Sequence, residues 1–309
     1  MGTIVPFLEK SKHHPPRTII FLSGSGSNAE KILAEQRSEY PNPSFHVVAL
    51  FTDAPAESRA RELAEKYEIP YLENDIRKFY RTRGLKSLRM ASEAGRTARE
   101  EWTNEIRQQI APYQPDFGVL AGFARLTNIT ADFPCLNVHP GDLTYVKDNS
   151  RYLTGLHTLP IEKAILEGLD YLRSSVIIAQ SYKDSGTGMD SGPILGISEK
   201  VPIELAGSSL EALHECAQKR PPKKPKEGYG DRLEKIAKKH LKKLKERGDW
   251  VVFPQVVKDF ARARFGFDVE TGKDFLWYRQ NDKWQPVHTV IYGQRNKELL
   301  FRKPYLSNS

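Results

Sequence analysis

Short apolar runs alternate with charged, amphipathic stretches along the first two thirds of the chain. The segments "RTIIFL" (17–22), "HVVALFTD" (46–53) and "PDFGVLAGF" (115–123) are continuous, β-rich runs of the kind that a parallel sheet buries on both faces. Between them, segments such as "AESRARELAEKY" place apolar residues at helical spacing. The alternation predicts an α/β fold with a mostly parallel, twisted sheet flanked by helices.

The same patterns extend to shorter segments. Further strands are predicted at "IPYLEN", "FPCLNVHP", "SSVIIAQS" and "GPILGISEKVPI". Further helices are predicted at "AEKILAEQ", at "LPIEKAILEG" and, as a pair that meets near Gly95, across residues 76–111. No internal repeat is visible, so these elements belong to one α/β unit.

After about residue 205 the character of the chain changes. A Pro- and Lys-rich excursion, "RPPKKPKEGYG", has too little apolar surface to fold alone, and we expect it to be flexible. A helix, "DRLEKIAKKHLKKLKERG", follows, and the residues from Lys273 onward resemble two or three antiparallel strands with turns at Asn281-Asp282 and near Gly293. We therefore expect a catalytic domain over 17–205, a C-terminal helical continuation with a basic insertion over 206–254, and a small β-rich tail over 255–309.

Bulk composition adds few constraints. The 309 residues are 39% hydrophobic, which is ordinary for a folded soluble protein. No apolar run approaches the roughly 20 residues that cross a bilayer, and the first residues lack the apolar stretch of a secretory signal. Cys135 and Cys216 lack CxxC spacing, so neither a disulfide framework nor a zinc site is indicated. We expect a cytoplasmic protein with no metal and no membrane contact.

The net charge of +8 is local. Residues 218–247 carry thirteen Lys or Arg and four Asp or Glu, so the rest of the chain is close to neutral. Such a segment would neutralise phosphates without reading sequence, and only Tyr229 interleaves with it as an aromatic residue. The charge therefore does not indicate a specific nucleic-acid partner.

Two polar residues stand at the predicted end of a strand in "LNVHPGD" (136–142). Asn137 and His139 are two positions apart, so they project from the same face of that strand. Ligands of open α/β sheets bind at such carboxyl ends. An imidazole that takes up a proton beside an amide that donates to an oxyanion suits acyl transfer to an amine. The structural alternative is a polar pair that satisfies loop backbone.

A Gly-rich loop, "GTGMDSGPIL" (186–195), contributes a carboxylate. Asp190 lies between two predicted strands, where small neighbours let the backbone approach a ligand closely. Its carboxylate could orient His139 and stabilise the imidazolium, or it could form an ordinary Asx turn.

Taken together, these segments resemble the folate-dependent formyltransferases. The resemblance rests on Asn-x-His-Pro, on "GLHT" (155–158), on Asp-x-Gly-Pro-Ile, on "FLSGSGSNAEKI" at the first strand–helix turn and on "VLAGFARL" (119–126). It is closest to the branch of the family that formylates glycinamide ribonucleotide in purine synthesis. It covers roughly residues 17–205, with a fainter continuation over 233–254.

The resemblance implies a Rossmann-like catalytic domain and a set of site residues. The implied catalytic residues are Asn137, His139 and Asp190. The phosphate of the amine substrate is implied to lie at Gly26, Ser27 and Asn28, where small residues at a helix N-terminus expose N–H groups that favour an anion. The implied folate contacts are Arg99, Ala124, Arg125, Leu126 and Thr127. The formyl donor is implied to be 10-formyltetrahydrofolate, and the expected partners are small molecules, with the chain a monomer or homodimer.

The chain departs from the family in four places. A second family histidine, on the strand that leads to the Asp190 loop, is absent, and Ile177 stands at its position. The connection between His139 and Gly155 is longer than the usual Leu-Leu-Pro. The late Gln-Glu-His segment that helps to hold the amine substrate reads "AKKH" and keeps only His240, and a basic, Pro-rich insertion precedes that helix. The resemblance therefore supports the donor half of the site better than the acceptor half.

Other functions stay open for these reasons. The acceptor could be another amine, such as an amino sugar nucleotide. A formyltetrahydrofolate hydrolase or a methionyl-tRNA formyltransferase fits less well, because their usual extra domains have no evident counterpart among these segments. A non-enzymatic nucleic-acid-binding protein on the same scaffold is the alternative from a different class.

Overall fold

The computed structural model describes residues 2–8, 13–123, 125–182 and 188–301. Sixteen strands are present among these residues. In chain order they are β1 Ile4–Pro6, β2 Arg17–Phe21, β3 His46–Thr52, β4 Tyr71–Glu73, β5 Phe117–Leu120, β6 Cys135–His139, β7 Val146–Lys147, β8 Ser150–Arg151, β9 Tyr171–Leu172, β10 Ser175–Ala179, β11 Ile194–Ser198, β12 Val201–Pro202, β13 Phe265–Asp268, β14 Gly272–Gln280, β15 Lys283–Tyr292 and β16 Lys297–Phe301.

The helices lie mostly between these strands. They are α1 Ser27–Ser38, α2 Ala60–Tyr67, α3 Ile76–Thr82, α4 Glu93–Ile110, α5 Leu159–Leu166, α6 Leu210–Gln218, α7 Arg232–Leu244 and α8 Trp250–Ala261. Single 3₁₀ turns span Ala111–Tyr113, Asn128–Ala131 and Met189–Ser191, and a π-helical turn spans Lys245–Asp249. Within the described ranges, no helix is both long and apolar enough to span a membrane.

Twelve of the strands form one mixed sheet. Its order is β1-β13-β14-β15-β11-β10-β6-β5-β2-β3-β4, with β16 also paired to β15. The strands from β6 to β4 run parallel to one another, and β10 adds to β6 in the antiparallel sense. The α/β class and the flanked, twisted sheet predicted from the sequence are confirmed, with the parallel part formed by the N-terminal half of the chain.

Helices cover both faces of the sheet because apolar residues of its central strands point to both sides. Ile20 of β2 packs with Ile32 of α1 and Phe253 of α8 on one face. The next residue, Phe21, packs with Trp102 of α4 on the other face. A third cluster joins α5, α6 and α7 beside the sheet.

Several boundaries differ from those predicted. Two helices do occupy 76–111, but ten residues (83–92) separate them, and Gly95 lies in the first turn of α4. The segment "GPILGISEKVPI" forms two strands, β11 and β12, and the second of these leaves the main sheet to pair with β9. The hairpin β7–β8 and the helices α6 and α8 were not predicted. The turn at Asn281-Asp282 is confirmed, and both of its residues have positive φ.

The C-terminal strands continue the main sheet through a parallel pairing of β15 with β11, in which Gly196 lies opposite Val290. Beneath them, Asp259 of α8 accepts hydrogen bonds from the hydroxyls of Tyr278 and Tyr292, both at 2.7 Å, and from Lys297 Nζ at 2.9 Å. The strands are thus joined to α8 by polar contacts as well as by backbone pairing. The proposed domain boundaries stay a prediction.

The basic excursion between α6 and α7 is attached to the rest of the protein by ion pairs. Arg220 contacts Glu162 at 2.5 Å and Asp231 at 2.7 Å, and its side chain is only 13% exposed. Lys224 Nζ lies 2.8 Å from a carboxylate oxygen of Glu234, which is buried. The segment therefore carries structural contacts at both ends, and its flexibility stays a prediction.

Candidate active site

One edge of the parallel half of the sheet gathers the polar residues that the sequence singled out. β2, β5 and β6 run parallel, so their carboxyl ends meet at the same edge. α1 begins directly after β2, and β6 ends at this edge with His139. The candidate phosphate loop, residues 26–28, and the candidate base, His139, therefore lie at the same edge of the sheet.

Asn137 and His139 occupy the last part of β6. Asn137 lies opposite Ile177 of β10 and is half-buried, whereas His139 lies opposite Ser175 and is only 3% exposed. No hydrogen bond of the Asn137 amide is found within the described residues. The role of the amide as a donor to an oxyanion stays a prediction.

The surroundings of His139 fix the protonation of its ring. Nε2 lies 2.8 Å from the carbonyl oxygen of Leu153. Because a carbonyl only accepts, Nε2 carries the proton, and in the neutral ring Nδ1 is left with a lone pair. Nδ1 faces Asp190, whose Oδ2 lies 3.7 Å away. The predicted trio is thus brought together, with Nδ1 as the atom able to take up a proton.

Gly141 of the "HPGD" segment makes the contact between His139 and Leu153 possible. A Cβ at this position would lie 3.1 Å from His139 Nε2 and 3.0 Å from Pro160 Cβ, and it would overlap the carbonyl oxygen of Leu153. The hydroxyl of Ser175 donates to the Gly141 carbonyl at 2.8 Å and so holds the backbone that follows His139. A glycine is therefore required here by close approach.

Burial lowers the pKa of His139, and the charge of Asp190 opposes that shift. Asp249 also raises the pKa and Lys163 lowers it, each more weakly than burial. Because burial is the largest effect, the surroundings favour the neutral form of the ring. A neutral imidazole with a free Nδ1 is the form that a general base requires.

The predicted phosphate-binding residues form the start of α1. Gly26 has φ 63°, and a Cβ there would lie 2.7 Å from Leu63 Cδ1, so only glycine fits. Ser27 and Asn28 are the first two helical residues, and their backbone N–H groups have no intrahelical partner. Lys245 Nζ lies 3.3 Å from Ser25 Oγ, which adds a positive charge beside the loop. The geometry is that of an anion site.

Asp249 is a carboxylate beside the candidate site that was not predicted. It ends the π-helical turn Lys245–Asp249, accepts from Asn28 Nδ2 at 3.1 Å and accepts from Ser174 Oγ at 2.6 Å. Burial raises the pKa of its carboxyl, and hydrogen bonds from Ser174 and Asn28 oppose the shift. Asp249 therefore connects the phosphate loop to the residue before Ser175, the partner of His139 across the sheet.

His240, by contrast, does not reach the site. Its Nδ1 donates to the Ile236 carbonyl at 3.0 Å, and its Nε2 accepts from the Glu204 backbone N–H at 2.9 Å. Both ring nitrogens are used by the backbone, and the ring is 2% exposed. No sequence signal distinguished Asp249 from the neighbouring Glu246, because the π-helical turn that carries both is not visible in the apolar pattern.

The predicted folate residues line the loop that follows β5. Arg99 is buried and donates from its guanidinium to the carbonyls of Leu126 (2.8 Å) and Leu88 (2.9 Å). Thr127 is also buried and caps the 3₁₀ turn that begins at Asn128. Arg99 and Thr127 thus shape the loop from inside, and a direct folate contact by either stays a prediction.

Arg125 and Leu126 are the more accessible members of this set. Arg125 Nε lies 3.5 Å from Asp53 Oδ2, and Leu126 is half-buried. Burial raises the pKa of the Asp53 carboxyl. Ala124, the remaining predicted contact, lies outside the described residues.

Comparisons with known proteins agree with this geometry. A family model described as "Formyl transferase" matches residues 16–221. A curated phosphoribosylglycinamide formyltransferase from Mycobacterium tuberculosis (strain CDC 1551 / Oshkosh) is 29% identical over 205 residues, which cover 65% of this chain and 77% of that protein. A methionyl-tRNA formyltransferase from Campylobacter hominis is 33% identical over a shorter stretch of 98 residues, 31% of this chain and 28% of that protein.

Among solved structures, the phosphoribosylglycinamide formyltransferase from Anaplasma phagocytophilum superposes with a TM-score of 0.56. The alignment covers 90% of this chain and 98% of that chain, at 16% sequence identity. At this identity the superposition supports a common fold.

Proposed function

The chain belongs to the formyl transferase family, and on that premise we propose that it transfers a formyl group from 10-formyltetrahydrofolate to the amine of glycinamide ribonucleotide. One observation carries the choice of acceptor. Asn28 of the phosphate loop and Ser174, which precedes the β10 partner of His139, both donate to Asp249. The candidate anion site at the start of α1 and the candidate base His139 thus share one edge of the sheet. An acceptor that joins a phosphate to an amine can occupy both.

The acceptor half of the site fits a ribonucleotide. The start of α1 and Lys245 would hold the phosphate, because free N–H groups and a cation favour an anion there. Asn28 Oδ1 is buried and has no hydrogen-bond partner within the described residues. Together with the Asp249 carboxylate, it can accept hydrogen bonds from sugar hydroxyls.

The donor half fits a ligand with N–H donors. Asp53 Oδ1 and Asn128 Oδ1, both beside the loop after β5, are buried acceptors without a hydrogen-bond partner in the described part of the chain. Buried polar groups are rarely left unpaired, so a ligand that donates to them is expected. A folate head group, which carries ring and amino N–H donors, meets that requirement.

The residues of the trio then have separate tasks. When bound, 10-formyltetrahydrofolate would supply a formyl carbon whose oxygen gains negative charge as the amine attacks. Asn137 donates its amide N–H to that oxygen. His139 accepts at Nδ1 the proton that the amine loses and returns it to the nitrogen that leaves the formyl carbon. Asp190, 3.7 Å from Nδ1, stabilises the imidazolium in between.

The experiment is a comparison of acceptors with one donor. Purified protein would be given 10-formyltetrahydrofolate with glycinamide ribonucleotide, an amino sugar nucleotide, methionyl-tRNA or no acceptor, and formation of tetrahydrofolate would be followed. We expect turnover with glycinamide ribonucleotide and loss of that turnover in Asn137→Ala. Turnover that is as fast without an acceptor would replace transfer by hydrolysis, and preference for another amine would refute the acceptor assignment.

A further inference from the structure

A short hairpin, β7–β8, lies in the connection after His139 that is longer than in the family. Val146 pairs with Arg151 and Lys147 with Ser150, and the two turn residues, Asp148 and Asn149, have φ of 52° and 58°. Positive φ at both central residues is the geometry of a type I′ hairpin turn. The hairpin is therefore a defined element, and its last residue is an arginine.

Arg151 reaches from this hairpin to the turn that carries Asp190. Its guanidinium donates through one terminal nitrogen to the backbone carbonyl of Asp190 and through the other to that of Gly192, at 2.8 Å for the latter. Burial lowers the pKa of Arg151, and the Asp190 charge opposes this. Because the guanidinium is planar and donates to two carbonyls of one turn, it fixes both the position and the orientation of that turn.

The opposite side of the same turn packs tightly on β10. A Cβ at Gly192 would overlap the Ile178 carbonyl and lie 2.6 Å from Gln180 Nε2. The turn is thus enclosed between β10 and the guanidinium of Arg151.

The segment that follows the hairpin, residues 152–154, holds His139, the partner of Asp190. Leu153 accepts the hydrogen bond from His139 Nε2, while Lys163 Nζ donates to the carbonyls of Tyr152 and Thr154, each at 3.0 Å. Successive carbonyls of an extended chain point in opposite directions, so Lys163 takes the outer two and His139 takes the middle one. The imidazole of His139 and the turn that carries Asp190 are therefore both hydrogen-bonded to the segment 151–154.

We propose that Arg151 is a positioning residue that sets the distance between the Asp190 carboxylate and His139 Nδ1. The geometric part of this proposal stands on the contacts of Arg151 alone, whereas its kinetic part rests on the proposed function. Arg151 acts through Asp190 and does not touch the reacting atoms.

The expected consequence follows from the charges around His139. Asp190 and Asp249 raise the pKa of the ring, and burial and Lys163 lower it. When Arg151 is lost, the Asp190 turn relaxes and its carboxylate moves away, so the pKa of His139 falls further. The imidazolium formed during transfer is also less stabilised, so kcat falls while KM for either substrate changes little.

The test compares Arg151→Gln and Arg151→Lys with Lys147→Gln. Lys147 is on the same hairpin, but it pairs with Glu167 at 2.8 Å and has no contact with the Asp190 turn among the described residues, so Lys147→Gln controls for hairpin stability. For each protein, kcat and KM would be measured across pH. Independently of substrate, the ring of His139 would be titrated by NMR, with assignment through His139→Gln.

For Arg151→Gln we expect kcat to fall by about 10- to 10²-fold, since a shift of about 1 Å in a catalytic group has effects up to this size. The His139 titration should move to lower pH, with Lys147→Gln unchanged in both readouts. Arg151→Lys, which cannot bond two carbonyls as a fork, should recover only part of the loss.

An unchanged His139 titration in Arg151→Gln would overturn the positioning role, as would full recovery in Arg151→Lys. If wild-type protein formylates none of the acceptors while the NMR shift is still observed, the proposed function fails and the positioning role stands.

Discussion

Substitution of Gly141 by alanine tests the support of the catalytic histidine. The added Cβ would lie 3.0 Å from Pro160 Cβ and 3.1 Å from His139 Nε2, and it would overlap the Leu153 carbonyl oxygen. The carbonyl has to retreat by about 1 Å to reach ordinary contact distance, and a hydrogen bond of 2.8 Å does not survive such a shift. His139 then loses the interaction that keeps its proton on Nε2.

Two magnitudes follow from that geometry. Crowding in a packed interior lowers the free energy of unfolding by about 1–3 kcal/mol. A catalytic group displaced by about 1 Å lowers kcat by about 10²-fold. Steady-state kinetics would give kcat and KM, and urea denaturation would give the free energy of unfolding. We expect KM to be nearly unchanged, because the nearest neighbours of a Cβ at Gly141 are Leu153, Pro160 and His139, which belong neither to the phosphate loop nor to the loop after β5.

Gly207→Ala is the matched control. Gly207 has φ 75° and open space around its Cα, so alanine there strains the backbone without displacing a neighbour. It should cost about 1–2 kcal/mol of stability and leave kcat intact. If Gly141→Ala destabilises the protein to the same extent and also keeps wild-type kcat, the Leu153 carbonyl is not needed to orient His139, and the assignment of Nδ1 as the base is wrong.

Three further predictions concern the same edge of the sheet. His139→Ala should lower kcat by about 10² to 10⁴ and Asn137→Ala by about 10² to 10³, each with donor binding retained by calorimetry; loss of affinity alone would indicate binding roles. The neutral form of His139 is the active base, and burial lowers its pKa, so kcat should fall only below about pH 6.5. Asp190→Asn removes a charge that raises this pKa, so the fall in kcat should shift to lower pH; a shift to higher pH would contradict the charge assignment. Lys245→Gln should raise KM for the phosphorylated acceptor more at low salt than at high salt, whereas Lys243→Gln, which removes a pair with Glu204, should not; equal effects would place the phosphate elsewhere.

The placement of the polar residues of β6 was predictable because it depends on short-range regularities. Asn137 and His139 share a face since side chains alternate along a strand, and His139 ends that strand because Pro140 and Gly141 follow. The glycines of the first strand–helix turn indicate an anion site for a similar local reason. Periodicity and spacing give these placements, whereas the catalytic and binding roles came from the family resemblance and stay a prediction.

Asp249 and Arg151 could not be found in that way. Asp249 ends a π-helical turn and lies 3.1 Å from Asn28 Nδ2, and neither that turn nor the packing of α8 is visible in the apolar pattern. The resemblance instead drew attention to His240, whose ring is used by the backbone. Arg151 depends on a hairpin whose contact with Gly192 spans 41 residues of sequence.

The parallel pairing of β15 with β11 has a consequence for biosynthesis. β11 begins shortly after the Asp190 turn, yet the strand that covers its outer edge comes from near the end of the described chain. During translation, β11 is therefore made long before β15. Until β15 is added, the outer edge of β11 has unpaired N–H and C=O groups, which can pair with strands of other chains. The strand beside the Asp190 turn is therefore paired on both edges only after the chain has been made as far as β15.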